Sequence, residues 1–379
     1  MSISHILYKV NPPVARFRRK DVDIHTIAIR ERIDWLVDCA RHHSEEFQRP
    51  EAQLTRSRYL EEHPTAIVVF TCMDGRINIP VATNTPHGII LSFRNLDGRF
   101  DLGWPHLGRV LTKLMDGLAS QRRPILVLIM YHYSKGNPCN SCDGFNYDTY
   151  SARTHMYGIK RQIEAVFSTG HCKVYPLVWG FETDEDTVVL HGSSGNVLDL
   201  STISFTDQET LPALLAQLYS DKPDLMRQDL LTLVKGNIAH IASIKQASRE
   251  PIIEHREWMI CIGRAFDWLY MPNQALIIGP YSPDLADPIR KAAGIIDANM
   301  RAGNIPDDGF LLLAQETYQE IGANRAYAEL KSRFLSRFAA NIVRVDFPKL
   351  AEKMHVRTAV LNWQLRAMEM IDGSTEHTS

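Results

Sequence analysis

The stretch Ala66-Ile-Val-Val-Phe-Thr-Cys-Met-Asp-Gly-Arg76 limits what this chain can become more than any other. Ala66 to Thr71 is uncharged and rich in β-branched and aromatic residues, which predicts a buried strand. Cys72 sits at its end. Asp74 and Arg76 follow at alternate positions, with Gly75 between them to let the chain turn. A thiol, a carboxylate and a guanidinium at that place are costly unless paired or bound. It is also the end of a strand at which α/β sheets place their ligands. Pro124 to Tyr131 is a second buried-strand run, ending in His132, with Cys139 and Cys142 in the loop that follows. Neighbouring parallel strands would bring Cys72, His132 and one or both later cysteines together. Two thiolates, an imidazole and an open position make a catalytic zinc site; a third thiolate closes it into a structural one. The Cys139-x-x-Cys142 pair also admits a thioredoxin-like redox reading.

Composition sets wider limits. The 379 residues are 45% apolar and 23% charged, with a formal net charge of -2. That is ordinary for a soluble globular chain and suggests two domains. The near-neutral balance gives no reason to expect nucleic acid as a partner. No apolar run approaches the roughly 20 residues that span a bilayer, and the N-terminus lacks the shape of a signal peptide. Six cysteines in so long a chain point to a reduced, cytosolic setting, where they favour metal or catalysis.

Patterning along the chain predicts a basic arm at Arg16 to Lys20 and a helix over 24–47 that carries Cys39 as a packed thiol. His42 and His43 are expected on its solvated end. Strands are predicted at 66–71, 89–93, 124–131, 173–180 and 187–191, with helices over 102–121 and 150–167. This order favours parallel strands joined by crossover helices. Gly192 to Asn196 and the polar stretch after it read as a domain boundary. Beyond it come helices at 211–219, 225–248, 284–302 and 323–339, and strands at 275–278 and 310–314. A last strand is expected at 341–347, a last helix over 350–370, and a disordered tail from Asp372.

Cys72-Met-Asp-Gly-Arg76 resembles the Cys-x-Asp-x-Arg signature of β-class carbonic anhydrases, and Phe93-Arg-Asn-Leu-Asp-Gly98 resembles their Arg-Asn-x-x-Gly segment. The longer spacing from His132 to the loop cysteines is similar to the divergent carboxysome shell carbonic anhydrase branch. So are Phe181 to His191, Gly236 to Ile241 and His255 to Ile260. The resemblance implies an α/β fold with a central, mostly parallel sheet flanked by helices, and a degenerate second copy that forms a pseudo-dimer. It implies an N-terminal helical arm at 1–62, a catalytic domain at 63–208 and a copy without metal at 209–379, with Cys261 in its core. It implies Zn2+ on Cys72, His132 and Cys142, the ten-residue spacing favouring Cys142 over Cys139. Asp74 would orient hydroxide supplied by zinc toward carbon dioxide, giving bicarbonate, and Arg76 would hold Asp74 ionised. Arg94 and Asn95 would hold a strand end or line the pocket mouth. A homodimer or higher homo-oligomer is expected, cytoplasmic, with shell or cargo contacts as the alternative that the branch raises. Rival functions are a structural Cys3His zinc scaffold and a carbonyl sulfide or carbon disulfide hydrolase on the same fold.

Overall fold

The computed structural model describes residues 23–167, 173–247, 254–269 and 271–371. The basic cluster at 16–20 and the tail from Asp372 lie outside them. In chain order the first half comprises α1 (Ile29–Gln48), α2 (Pro50–Glu62), β1 (Ala66–Cys72), β2 (Ile90–Asn95), α3 (Pro105–Ser120), β3 (Ile125–Tyr133), α4 (Thr149–Phe167), β4 (Val174–Glu182), β5 (Thr187–His191) and β6 (Val197–Asp199). Next come α5 (Leu211–Leu218) and α6 (Asp224–Gln246), then β7 (Met259–Gly263), β8 (Ala275–Ile278), α7 (Ala286–Ala302), β9 (Phe310–Tyr318), α8 (Ala323–Asp346), β10 (Met354–Asn362) and β11 (Ala367–Met370). The fold is α/β, with two mostly parallel sheets flanked by helices. Among the described residues no helix is long and apolar enough to cross a membrane.

The two sheets repeat one plan. The first runs β2-β1-β3-β4-β5-β6 and the second β8-β7-β9-β10-β11. In each, four strands are parallel and the next is antiparallel. Helices cover both faces of the parallel strands, so β1 and most of β3 are buried throughout and read as continuous apolar runs. Register relates the halves residue by residue. Ile67 pairs with both Ile90 and Leu126, while Met259 pairs with both Ala275 and Leu311. Counting on from these pairs, Arg264 stands where the first sheet has Cys72, and Thr317 where it has His132. Cys261 is fully buried, as expected of a core thiol.

The sheets meet at the strand ends beside Cys72. Backbone amides of Asn273, Ile277 and Gly279 donate to the carbonyls of Gly75, Met73 and Arg94 at 2.6, 2.9 and 2.8 Å. Each half also braces the other. α1 leads into β1, yet Ser44 Oγ donates to the Leu365 carbonyl in the β10–β11 turn at 2.9 Å, and the Ile29 amide donates to Asp308 at 2.8 Å. Arg32, buried, pairs with the same Asp308 and lies over the Trp258 ring at 5.0 Å. Reciprocally, α6 leads into β7 but packs on the first half. Asn237 on α6 is fully buried. Its Nδ2 donates to the carbonyls of Ala82 and Asp186, and its Oδ1 accepts from the Val188 amide, all at 2.8–2.9 Å. Gly236 lets the helix approach: a Cβ there would lie 1.8 Å from the Thr83 carbonyl oxygen.

Three expectations change, and two elements are new. Residues 341–347 are not a strand; they continue α8, because Leu335, Ala339, Ala340 and Val343 keep one buried helical face up to the stop at Pro348. Residues 350–370 are not a helix. Met354–Asn362 pairs with β9 along its whole length, and Asn362 Oδ1 accepts from the amides of Gln364 and Leu365 to turn the hairpin. Good helix formers yield here to sheet pairing. Met259–Gly263 is a strand, and Pro50–Glu62 a helix, that patterning did not single out. Finally, His43 is buried rather than solvated, beneath the Phe47 and His87 rings.

Asn237→Ala is expected to remove three buried hydrogen bonds at the seam and to lower unfolding free energy by about 3 kcal/mol. Urea denaturation of the full chain checks this.

Candidate metal centre

Cys72 and His132 lie at the ends of neighbouring parallel strands, with Phe70 paired to Ile129. The loop after β3 then folds back to deliver Cys142. Their ligand atoms all lie within 4.8 Å of one another, and all three residues are buried. The group can hold a metal ion. Cys139 does not join it and stands exposed.

An acidic turn after β4 shapes the loop. Asp184 accepts from Ser134 Oγ at 2.9 Å and from the Gly136 amide at 2.8 Å. Glu182 Oε1 accepts from the amides of Lys135 and Asp184 at 3.1 Å, and Oε2 from that of Glu185 at 2.9 Å. Burial pushes Glu182 up to about 7. The turn fastens the Cys142 loop to the sheet.

The ligand atoms suit a cation. Among the described residues neither ring nitrogen of the buried His132 has a well-formed hydrogen bond, with the Cys72 sulfur as its near neighbour, a costly state for an imidazole. Interaction with the Cys142 thiol, then with His132, holds the Cys72 thiol well below its usual range against the opposing effect of burial. Cys142 is pushed up by Cys72 and by burial. One thiolate is thus favoured and a second resisted, the arrangement that a bound cation would relieve. Cys142 Sγ also donates to Asp97 Oδ1 at 3.5 Å, and burial, with Cys72 nearby, lifts the Asp97 carboxyl to about 6.

Asp74 and Arg76 form a buried, two-pronged pair beside these ligands. Arg76 Nη2 donates to Asp74 Oδ2 at 2.6 Å and Nε to Oδ1 at 3.1 Å. The Arg76 amide reaches Oδ1 at 2.8 Å, and Nη2 also donates to the Asn140 carbonyl at 2.8 Å. Asp74 Oδ2 lies 3.8 Å from His132 Nδ1. Burial pushes Asp74 up, but Arg76, His255 and His132 outweigh it and hold the carboxyl well below its ordinary range.

Two neighbours come from the second half. His255 Nε2 lies 4.0 Å from Asp74 Oδ2, and its Nδ1 lies 3.0 Å from Glu257. Glu257, fully buried, accepts the Gly75 amide at 3.1 Å. Burial works against a charged His255, but Glu257 outweighs it and raises the histidine. In the sequence, His255 to Ile260 is only a stretch that resembles the shell branch; the packing of the two sheets brings His255 and Glu257 to Asp74. Arg94 donates to the carbonyls of Cys72 (3.1 Å), Asp74 (2.9 Å) and Ile77, and Asn95 Nδ2 donates to that of Arg99 at 2.7 Å. Both make the backbone contacts expected of strand-end residues.

A scan against models of known protein families returns no match, and neither does a search of curated proteins.

Purified chain is expected to carry about one metal ion, lost in His132→Ala and retained in Cys139→Ser. Elemental analysis after dialysis checks both.

Proposed function

We propose that this chain is a zinc-dependent carbonic anhydrase of divergent β-class type. The observation that carries the reading is the Asp74–Arg76 pair, buried beside a Cys2His ligand set. A site that only stores a structural ion has no use for an ionised carboxylate locked at its edge, whereas hydration of carbon dioxide does. Cys72, His132 and Cys142 would hold zinc, which when bound lowers the pKa of water to about 7 and so makes hydroxide available near neutral pH.

The remaining chemistry belongs to the chain. Asp74, kept ionised, would accept a hydrogen bond from the hydroxide made available there and aim its lone pair at carbon dioxide. Arg76 occupies both Asp74 oxygens, which keeps the carboxylate from swinging onto the ligand set. His255 lies next to Asp74 and is 27% exposed at its side chain. Protons released by hydration pass from Asp74's vicinity to His255 and on to solvent, with Glu257 supporting the charged imidazole.

The second half completes the site rather than duplicating it. The shared strand order and register support reading the chain as two copies of one unit, a pseudo-dimer, with the second copy's ligand positions replaced by Arg264 and Thr317. Carbon dioxide and bicarbonate are the proposed substrates, and whole chains are proposed to associate as a homodimer or larger homo-oligomer.

Stopped-flow carbon dioxide hydration on reduced protein of known zinc content tests the reading. Asp74→Ala is expected to lower kcat/KM about a hundredfold, or about 2.7 kcal/mol, with zinc retained. Stoichiometric zinc without hydration activity would sink the proposal. His255→Ala is expected to lower kcat more than kcat/KM, with recovery on adding imidazole to the buffer.

A further inference from the structure

A cavity of about 570 Å³ lies between β2, α3 and residues 77–80 of the first half and the loop ends of the second sheet. It lies in the crevice at the carboxyl ends of the second sheet's parallel strands, the place that Cys72 and His132 hold in the first sheet. That crevice is where open α/β sheets bind ligands. Its lining contains Arg264 and Thr317, the register counterparts of those two ligands.

The walls are rich in cations. Arg94, Lys113, Arg264 and Arg366 line the cavity against a single lining carboxylate, Asp267. Arg366 Nε lies 3.1 Å from Asp267. Arg264 sits 2.6 Å from the buried Glu316 behind the wall, but Lys331 meets the same carboxylate at 2.5 Å. Glu316 therefore does not cancel Arg264 alone. Neither Arg94 nor Lys113 has a carboxylate within salt-bridge distance among the described residues. Arg94 spends its hydrogen bonds on backbone carbonyls, and Asp74 and Glu257 act on its charge only from beyond salt-bridge distance.

α8 starts beside the cavity, with Asn324 in the wall. The volume falls within the range of small-molecule sites and exceeds what a bare inorganic ion fills.

We propose that the second half's crevice, emptied of metal ligands, is a binding site for a small organic anion bearing a phosphate or carboxylate group. Arg264, Arg366, Arg94 and Lys113 would neutralise the ligand, and Phe266, Tyr281 and Trp363 would cover its carbon skeleton. The inference stands apart from the zinc reading, because none of the three metal ligands lines the cavity.

Calorimetric titration of the full chain with inorganic phosphate, and separately with citrate, tests it at constant ionic strength. Saturable binding of at least one probe is expected, and which one binds tells phosphate from carboxylate recognition. Asn324→Asp keeps the acceptor that the Gln319 and Glu320 amides use while adding a negative charge to the wall. It should weaken binding at least about fivefold, and so should Lys113→Glu at the exposed rim. Lys349→Glu, outside the cavity, should change nothing. No saturable binding of either probe, or equal affinity in all variants, would overturn the proposal.

Discussion

Gly75 has no room for a side chain. A Cβ there would lie 2.6 Å from the Ala275 carbonyl oxygen and 2.8 Å from Glu257 Cγ, both in the second half. The turn that carries Cys72, Asp74 and Arg76 is thus pressed against another sheet along its backbone. Three amides of the second half donate to carbonyls of the first there, and Glu257 accepts the Gly75 amide in return. The candidate centre is a property of the seam. The first sheet supplies the ligands, but the second fixes the conformation in which they converge.

That seam collects charge in a place where charge is expensive. Asp74, Arg76 and Glu257 are all buried, and a buried ion pair seldom repays its desolvation by attraction alone. Here the charges alternate: Glu257 faces His255, His255 faces Asp74, and Asp74 is gripped by Arg76. Arg76 and Arg94 also satisfy backbone carbonyls of the surrounding turns. Such an arrangement is better explained by a need to keep one carboxylate ionised and immobile than by stability, since apolar residues would fill the same volume at lower cost.

The ligand set was legible in the sequence because it sits on the strongest local signals. β1 and β3 are uncharged runs, so their ends, and with them Cys72 and His132, could be located by length alone. Cys142 was harder: its loop follows no period, and its path is set by Asp184 and Glu182, about fifty residues downstream. His255 and Glu257 could not be placed at all from local pattern, since they reach Asp74 through tertiary packing. The C-terminal end misled for another reason. Residues 350–370 hold Ala, Glu, Lys, Leu, Arg and Met without Pro or Gly after Pro348, a helical composition that pairing with β9 overrides. The repeat of strand order is invisible in residue identity and appears only in the hydrogen-bonded register.

The reciprocal bracing has a consequence for how the chain comes into being. Ser44 meets Leu365 across 321 residues, and Ile29 meets Asp308 across 279. During synthesis, α1 therefore waits for almost the whole chain before its docking surface exists. The turn after Cys72 likewise waits for Ala275. Contacts of such sequence separation form late and slowly. A ribosome-bound first half would hold its thiols and imidazole in an unfinished turn, so any ion capture there would belong to the closing stage of folding. The two halves are joined in time as well as in space: neither can mature first.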